Sequence, residues 1–151
     1  RDVADPRTFA EGVAAWRLKW GGVLAVQVRG RVGEGATWEI EATERAGREP
    51  GATAGRAVLD ALLRRPEFAQ LRMIVAVSED VDLDDDATFL WGWFTRFDCA
   101  RDVVPASAEV RGAWVTCRGP LGVDATWKPG YAEPVANLPE VVAAVDGWWR
   151  K

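Results

Sequence analysis

The feature that most constrains the fold is a short run, Arg72-Met73-Ile74-Val75-Ala76-Val77, which carries no polar residue after its first. A strand with one wet face alternates apolar and polar side chains, and a strand covered on both faces does not. The run is too short for a helix of ordinary length and is rich in β-branched residues. It therefore predicts the central strand of a sheet, buried on both faces and covered by helices. A chain of 151 residues suits one domain with a core of its own.

The flanking segments supply partners for that strand. Thr8 and Glu11 have the spacing of a capping box, and Phe9, Val13, Trp16 and Trp20 recur at helical intervals. A helix is predicted there, stopped by Gly21-Gly22. Val23 to Val28 is a short apolar run, and 37–44 alternates with Trp38, Ile40 and Ala42 on one face. Together they predict a hairpin. A helix is expected from about Thr53 to Arg65, with Val58, Ala61 and Leu62 inward and Pro66 as its stop. An acidic loop, Ser78 to Asp86, leads into a helix over 86–96, capped by Asp84 or Asp85. That helix is apolar almost all round and is expected to be well buried. Residues 102–118 hold one or two short strands, Val103-Val104 and Val110 to Val115. Residues 119–136, rich in Gly and Pro, read as irregular. Asn137 and Pro139 open a last helix with Val141, Val142, Val145, Trp148 and Trp149 as its stripe. The order β-β-α-β-α-β-α predicts a single α/β layered domain with a mixed sheet. Residues 1–35 read as an N-terminal extension (helix plus strand) of the same domain, and 36–151 as its main body.

Charge and composition exclude several functions. A net charge of −4 and no basic stripe argue against nucleic acid. No apolar run approaches the ~20 residues that span a bilayer. Cys99 and Cys117 form neither a CxxC pair nor a metal spacing, which predicts free thiols in a reducing, cytoplasmic setting. The chain has no histidine. That removes the commonest general base and metal ligand, and with it any Ser-His-Asp triad, Cys-His pair or His-ligated zinc. The few lysines lie outside apolar stretches. No catalytic residue and no metal site are predicted within the chain.

Four constellations remain. The acids Glu79, Asp80, Asp82, Asp84, Asp85 and Asp86 lack the glycine of a calcium-binding loop and read as a solvated turn that caps a helix. The nine tryptophans fall mostly on predicted buried faces, as core filling rather than sugar-binding platforms. Trp148 and Trp149 are adjacent helical positions about 100° apart. Either one of them offers a contact to a partner or both close the core. The segment Gly119 to Thr126 is no phosphate-binding fingerprint. Arg96, Asp98, Arg101 and Asp102 read as a surface set of ion pairs.

Taken in order, these segments resemble the C-terminal part of the UbiD family of decarboxylases. That family carries a strand followed by an acidic turn, matched by Val77-Ser78-Glu79-Asp80-Val81-Asp82. A helix of W-A-x-x-T-R type and then x-D-P-x-R-D follow, matched by Trp91-Gly92-Trp93-Phe94-Thr95-Arg96 and Phe97-Asp98-Cys99-Ala100-Arg101-Asp102. Next comes G-x-D-A-T, matched by Gly122, Asp124 and Thr126. Gly92 stands for an alanine and Cys99 for a proline. The resemblance spans about residues 36–150.

The resemblance implies a C-terminal domain or small subunit of a decarboxylase or carboxylase for aromatic or α,β-unsaturated acids, inactive alone. Its partner would be a flavin-binding domain or subunit, in a homo- or hetero-oligomer. The complete enzyme would use prenylated FMN with a divalent metal and K⁺, all held by that partner. A basic residue after the family's P-G turn lies near the cofactor phosphate, and Arg56 is its nearest counterpart. The alternative is a stand-alone binding or assembly subunit that kept the fold and lost the cofactor contacts.

Overall fold

The run at 72–77 forms the middle strand of a five-stranded sheet. The computed structural model describes residues 3–29, 53–128 and 138–149. Its sheet contains β1 (Val13–Lys19), β2 (Val23–Val28), β3 (Met73–Ser78), β4 (Val103–Arg111) and β5 (Trp114–Ala125), in the order β1-β2-β3-β5-β4. β3 pairs in parallel with β2 and β5, and the outer pairs β1·β2 and β4·β5 are antiparallel. The sheet is therefore mixed, and the domain is α/β as expected.

Both faces of the centre are dry because each is covered. On one side Leu24, Val26, Val28, Ile74 and Ala76 pack against Val58, Leu59 and Leu62 of α1 (Ala54–Leu63). On the other, Ala25, Val75, Val77, Val123 and Ala125 meet Phe89 and Trp93 of α2 (Asp86–Thr95), with Val81 and Leu83 from the acidic turn. A continuous apolar strand thus serves two cores at once. Thr53 caps α1, its hydroxyl accepting the Arg56 N–H at 2.9 Å. Asp85 caps α2 through the N–H groups of Ala87 and Thr88.

Several expectations are corrected. Residues 13–19 form β1, not a helix. The periodicity misled because a bulge between Val13 and Ala15 changes the strand's parity. Val13 and Trp16 thereby share the α1 side at a spacing that also suits a helix. Gly21 ends no helix. Trp20 (φ 48°) and Gly21 (φ 69°) make the tight β1–β2 turn, whose twist favours two left-handed residues. β2 pairs with β1; the strand expected over 37–44, Trp38 and the loop 46–52 lie outside the described residues. β4 and β5 are long strands of one hairpin rather than short segments, and residues 119–125 belong to β5. Glycine and proline concealed that strand. α2 is not buried all round: Phe89, Gly92 and Trp93 face the sheet, while Trp91 and Phe94 face outward.

The last helix, α3 (Pro139–Trp149), buries none of its residues. Trp16, Trp20, Trp91, Trp114, Trp127, Trp148 and Trp149 are all at least partly exposed, so among the described residues only Trp93 is a buried tryptophan, with Trp16 packed against the edge of the α1-side core. No helix among the described residues is long and apolar enough to cross a membrane.

Candidate functional site

The parallel strands β3 and β5 end side by side, with Val77 paired to Ala125. Carboxyl ends of parallel strands are where α/β folds place functional groups. Here the edge carries a buried polar cluster. Its centre is Lys128, only 5% exposed. The ammonium donates to the carbonyls of Asp124 (2.7 Å), Thr126 (3.1 Å) and Arg96 (3.4 Å). It also lies 3.4 Å from the Asp124 carboxylate and 3.6 Å from that of Asp102.

Each acid is held in turn. Asp124 Oδ1 accepts the Thr126 N–H (3.1 Å) and hydroxyl (2.6 Å), and its Oδ2 accepts the Thr53 hydroxyl. The α1 cap and the end of β5 are thus one network. Gly55 makes this possible, since a Cβ there would overlap the Asp124 carboxylate and Thr126. Gly122 is needed for the same reason nearer the end of α1, where Leu63 and Leu59 fill the space a side chain would take. Asp102 accepts both Arg101 contacts and the Asp98 N–H, each at 2.8 Å. Its oxygen on the main chain accepts the Asp124 N–H at 2.9 Å. Arg96, 2% exposed, makes a two-pronged contact with Asp80 (2.8 and 2.6 Å) and lies over the Trp91 ring. Ser78, at the end of β3, accepts the Trp127 N–H at 2.7 Å.

The electrostatics follow from burial. Desolvation pushes the Lys128 ammonium below the ordinary lysine value, and the charges of Asp124 and Asp102 only partly oppose it. Burial pushes the Asp102 carboxyl up. The Arg101 contact, the Asp98 N–H and the Lys128 charge together outweigh it and hold Asp102 below the ordinary value. The cation is therefore held at a net desolvation cost, and the acid at a net gain.

Most of the family-signature residues meet here. Asp80, Arg96, Asp98, Arg101, Asp102, Gly122, Asp124 and Thr126 line this edge or fit α1 to it. Arg96 and Asp102 are buried, which corrects their reading as surface pairs: the turn at 98–102 folds back under β5. Thr95 donates to the Trp91 carbonyl at 2.7 Å, and Asp82 accepts the Asp84 N–H at 2.8 Å; both shape local turns. The other acids pair outward, Asp84 with Arg17 and Asp86 with Lys19. An open groove of about 280 Å³ runs beside those pairs at Lys19, Trp20 and Leu83. Arg56 lies on the first turn of α1 with its guanidinium 3.4 Å from Asp60. Trp148 and Trp149 lie apart from the cluster, on exposed α3.

Lys128, Thr53 and Ser78 were missed. Lys128 stands four residues after Asp124, a spacing that carried a signal, but it sits among polar and small residues that read as loop. Among the described residues no three His, Cys, Asp or Glu side chains converge as metal ligands. Cys99 and Cys117 are exposed and unpaired with each other. Among the described residues the cluster's carboxylates are taken up by Lys128, Arg101 and threonine hydroxyls.

Comparison with known proteins gives the same frame. The profile of the 3-octaprenyl-4-hydroxybenzoate carboxy-lyase C-terminal domain matches residues 22–115. No protein with curated annotation matches the sequence. The UbiD-class enzyme HmfF from Pelotomaculum thermopropionicum, solved with FMN, superposes with a TM-score of 0.55 at 15% identity, over 93% of this chain and 30% of HmfF. An evolved dimeric form of HmfF, solved with prFMN, gives 0.54 at 16%, over 91% and 26%. The closed form of vanillic acid decarboxylase from Sedimentibacter hydroxybenzoicus gives 0.55 at 14%, over 97% and 30%. The chain thus spans under a third of those structures.

Proposed function

The chain belongs to the UbiD family through its 3-octaprenyl-4-hydroxybenzoate carboxy-lyase C-terminal domain, and on that basis we propose that it is the non-catalytic portion of a decarboxylase or carboxylase. The complete enzyme acts on an aromatic or α,β-unsaturated carboxylic acid. A flavin-binding domain or subunit holds prenylated FMN, a divalent metal and K⁺, and supplies the chemistry. This chain orders the edge of the assembly and contributes Arg56 toward the cofactor's phosphate side.

One observation carries this reading. The charged groups that converge at the carboxyl edge are spent on one another and on backbone carbonyls. A general acid or base needs access to substrate and a proton to exchange. A buried ammonium whose protons are directed to backbone carbonyls has no such access.

The test is reconstitution. The purified chain alone is expected to show no flavin absorbance and to release no CO2 from cinnamate- or hydroxybenzoate-type acids. Added to a prenylated-FMN-loaded UbiD-type flavin domain, it is expected to co-elute with it, and Arg56→Ala to lower flavin occupancy without dissolving the complex. Flavin absorbance and turnover from the single chain would overturn the proposal. A second reading, a stand-alone assembly subunit, is favoured by the Arg56–Asp60 pair, which turns the only proposed cofactor contact onto its own helix. Co-elution with no change in flavin occupancy on Arg56→Ala supports that second reading.

A further inference from the structure

α2 buries one apolar face and leaves a second one bare. Leu90, Trp91 and Phe94 are 37%, 45% and 62% exposed, and Ala87 is exposed beside them. At about 100° per residue these four share one stripe roughly 100° wide, opposite Phe89, Gly92 and Trp93. They stand at i, i+3, i+4 and i+7, the four corners of a hole that receives one side chain of a facing helix. α3 carries the complementary set. Val141, Val145 and Trp148 lie within roughly 60° of one another, with Leu138, Val142 and Trp149 along one margin. All six are exposed. A solitary helix of this length is marginal in water, so α3 needs packing to persist.

We propose that α3 is a strap that closes onto α2 of its own chain, the two helices running antiparallel. The structure holds the strap open, and the tether sets where it closes. Lys128 Nζ lies 3.4 Å from the carbonyl of Arg96, the residue that follows α2. The chain therefore leaves the sheet beside the C-terminal end of α2. Residues 129–137 join that point to Leu138. Nine residues reach at most roughly 30 Å, about twice the length of α2. So short a tether holds α3 near α2 at an effective concentration of roughly millimolar, which a second copy does not match in dilute solution. The layers agree. Val145 enters the hole among Ala87, Leu90, Trp91 and Phe94. Val141 then meets Phe94 and Trp148 meets Ala87, each large side chain facing a small one. Charge selects the antiparallel sense. α2 begins among Asp84, Asp85 and Asp86, whereas α3 has Glu140 in its first turn and is followed by Arg150 and Lys151. An antiparallel run brings the two cations toward those acids, and a parallel run sets Glu140 against them. Glu140 and Asp146 both lie roughly 100° or more from the contact line. Closure also covers Trp91, whose ring backs the buried Arg96 guanidinium at 5.1 Å, and so dries the outer wall of the Arg96–Asp80 pair. It is a property of this chain alone and needs no flavin domain.

The experiment is disulfide trapping in the full chain, with Cys99→Ser and Cys117→Ser removing the two native thiols. Leu90→Cys/Val145→Cys places one thiol in each facing layer and keeps Trp91, Phe94 and Trp148. Leu90→Cys/Ala143→Cys is the control, since Ala143 lies roughly 160° round α3 from Val145. Under mild oxidant the first pair is expected to close within a single chain about tenfold faster than the control, read by non-reducing electrophoresis and intact mass. Adding Phe94→Asp to the first pair is expected to bring its rate down to the control's. Phe94 is mostly exposed, and far-ultraviolet circular dichroism checks that the sheet persists. Hydrogen exchange of the chain without added cysteines gives a second reading, with α3 amides protected and the protection lost on Phe94→Asp. Equal rates in the two pairs, a disulfide that joins two chains instead of closing one, or a rate and protection unmoved by Phe94→Asp would each overturn the proposal.

Discussion

Lys128→Met tests the account of the carboxyl edge most directly. Methionine keeps the length and the apolar stem of lysine but removes the ammonium. Three backbone carbonyls then lose a donor, and the Asp102 and Asp124 carboxylates lose a cation within 4 Å. Removing one partner of a buried ion pair costs about 3–5 kcal/mol. Both acids keep other partners, Arg101 for Asp102 and Thr53 with Thr126 for Asp124. The loss is therefore placed at the lower end, about 3 kcal/mol. With a urea m-value of about 2 kcal/mol/M, the midpoint falls by roughly 1.5 M. Adding Asp102→Asn is expected to recover some of that loss, because the orphaned charge goes with it. Alkaline pH gives an independent check. Burial depresses the folded-state pKa of Lys128 below its ordinary 10.5. Between the two values the unfolded chain binds more protons, so this group makes stability rise with pH there, and the difference between wild type and Lys128→Met widens toward 10.5. A loss under about 1 kcal/mol would mean a solvated ammonium, and the account of a buried staple would fail.

Gly55→Ala drives a methyl group into Asp124 and Thr126; it is expected to cost about 1–3 kcal/mol in thermal or urea unfolding, with α1 shifted off the sheet. Thr53→Ala removes both the α1 cap and the donor to Asp124, for a loss of about 1–2 kcal/mol. Asp102 has a depressed folded-state pKa, so its contribution is present above its ordinary 3.8 and fades as pH falls through the folded value. Asp102→Asn is expected to flatten stability against pH below about 4, measured by urea midpoints at stepped pH.

The central strand was legible because burial on two faces leaves an unmistakable pattern. α1 was legible from its apolar side and its stop at Pro66, and α2 from an acidic cap at Asp84 or Asp85. The N-terminal strand was not, since a bulge let Val13 and Trp16 imitate a helix. β5 was hidden by Gly119, Pro120 and Gly122, residues that argue for loop until a parallel neighbour and an overlying helix require a small side chain at Gly122. The signature residues were found one at a time. That they form one buried network was invisible, because Asp80, Arg96, Asp102 and Lys128 are far apart along the chain and meet only at the ends of two strands.

What the sequence determined by itself was local and compositional. The periodicity of short segments, the caps, and a chemistry without imidazole all follow from residue types and near neighbours. The tertiary structure alone decided which charges are buried and which tryptophans are exposed. Burial depends on what another segment of the chain, or another chain, places over a residue, and no residue carries that information in its own identity.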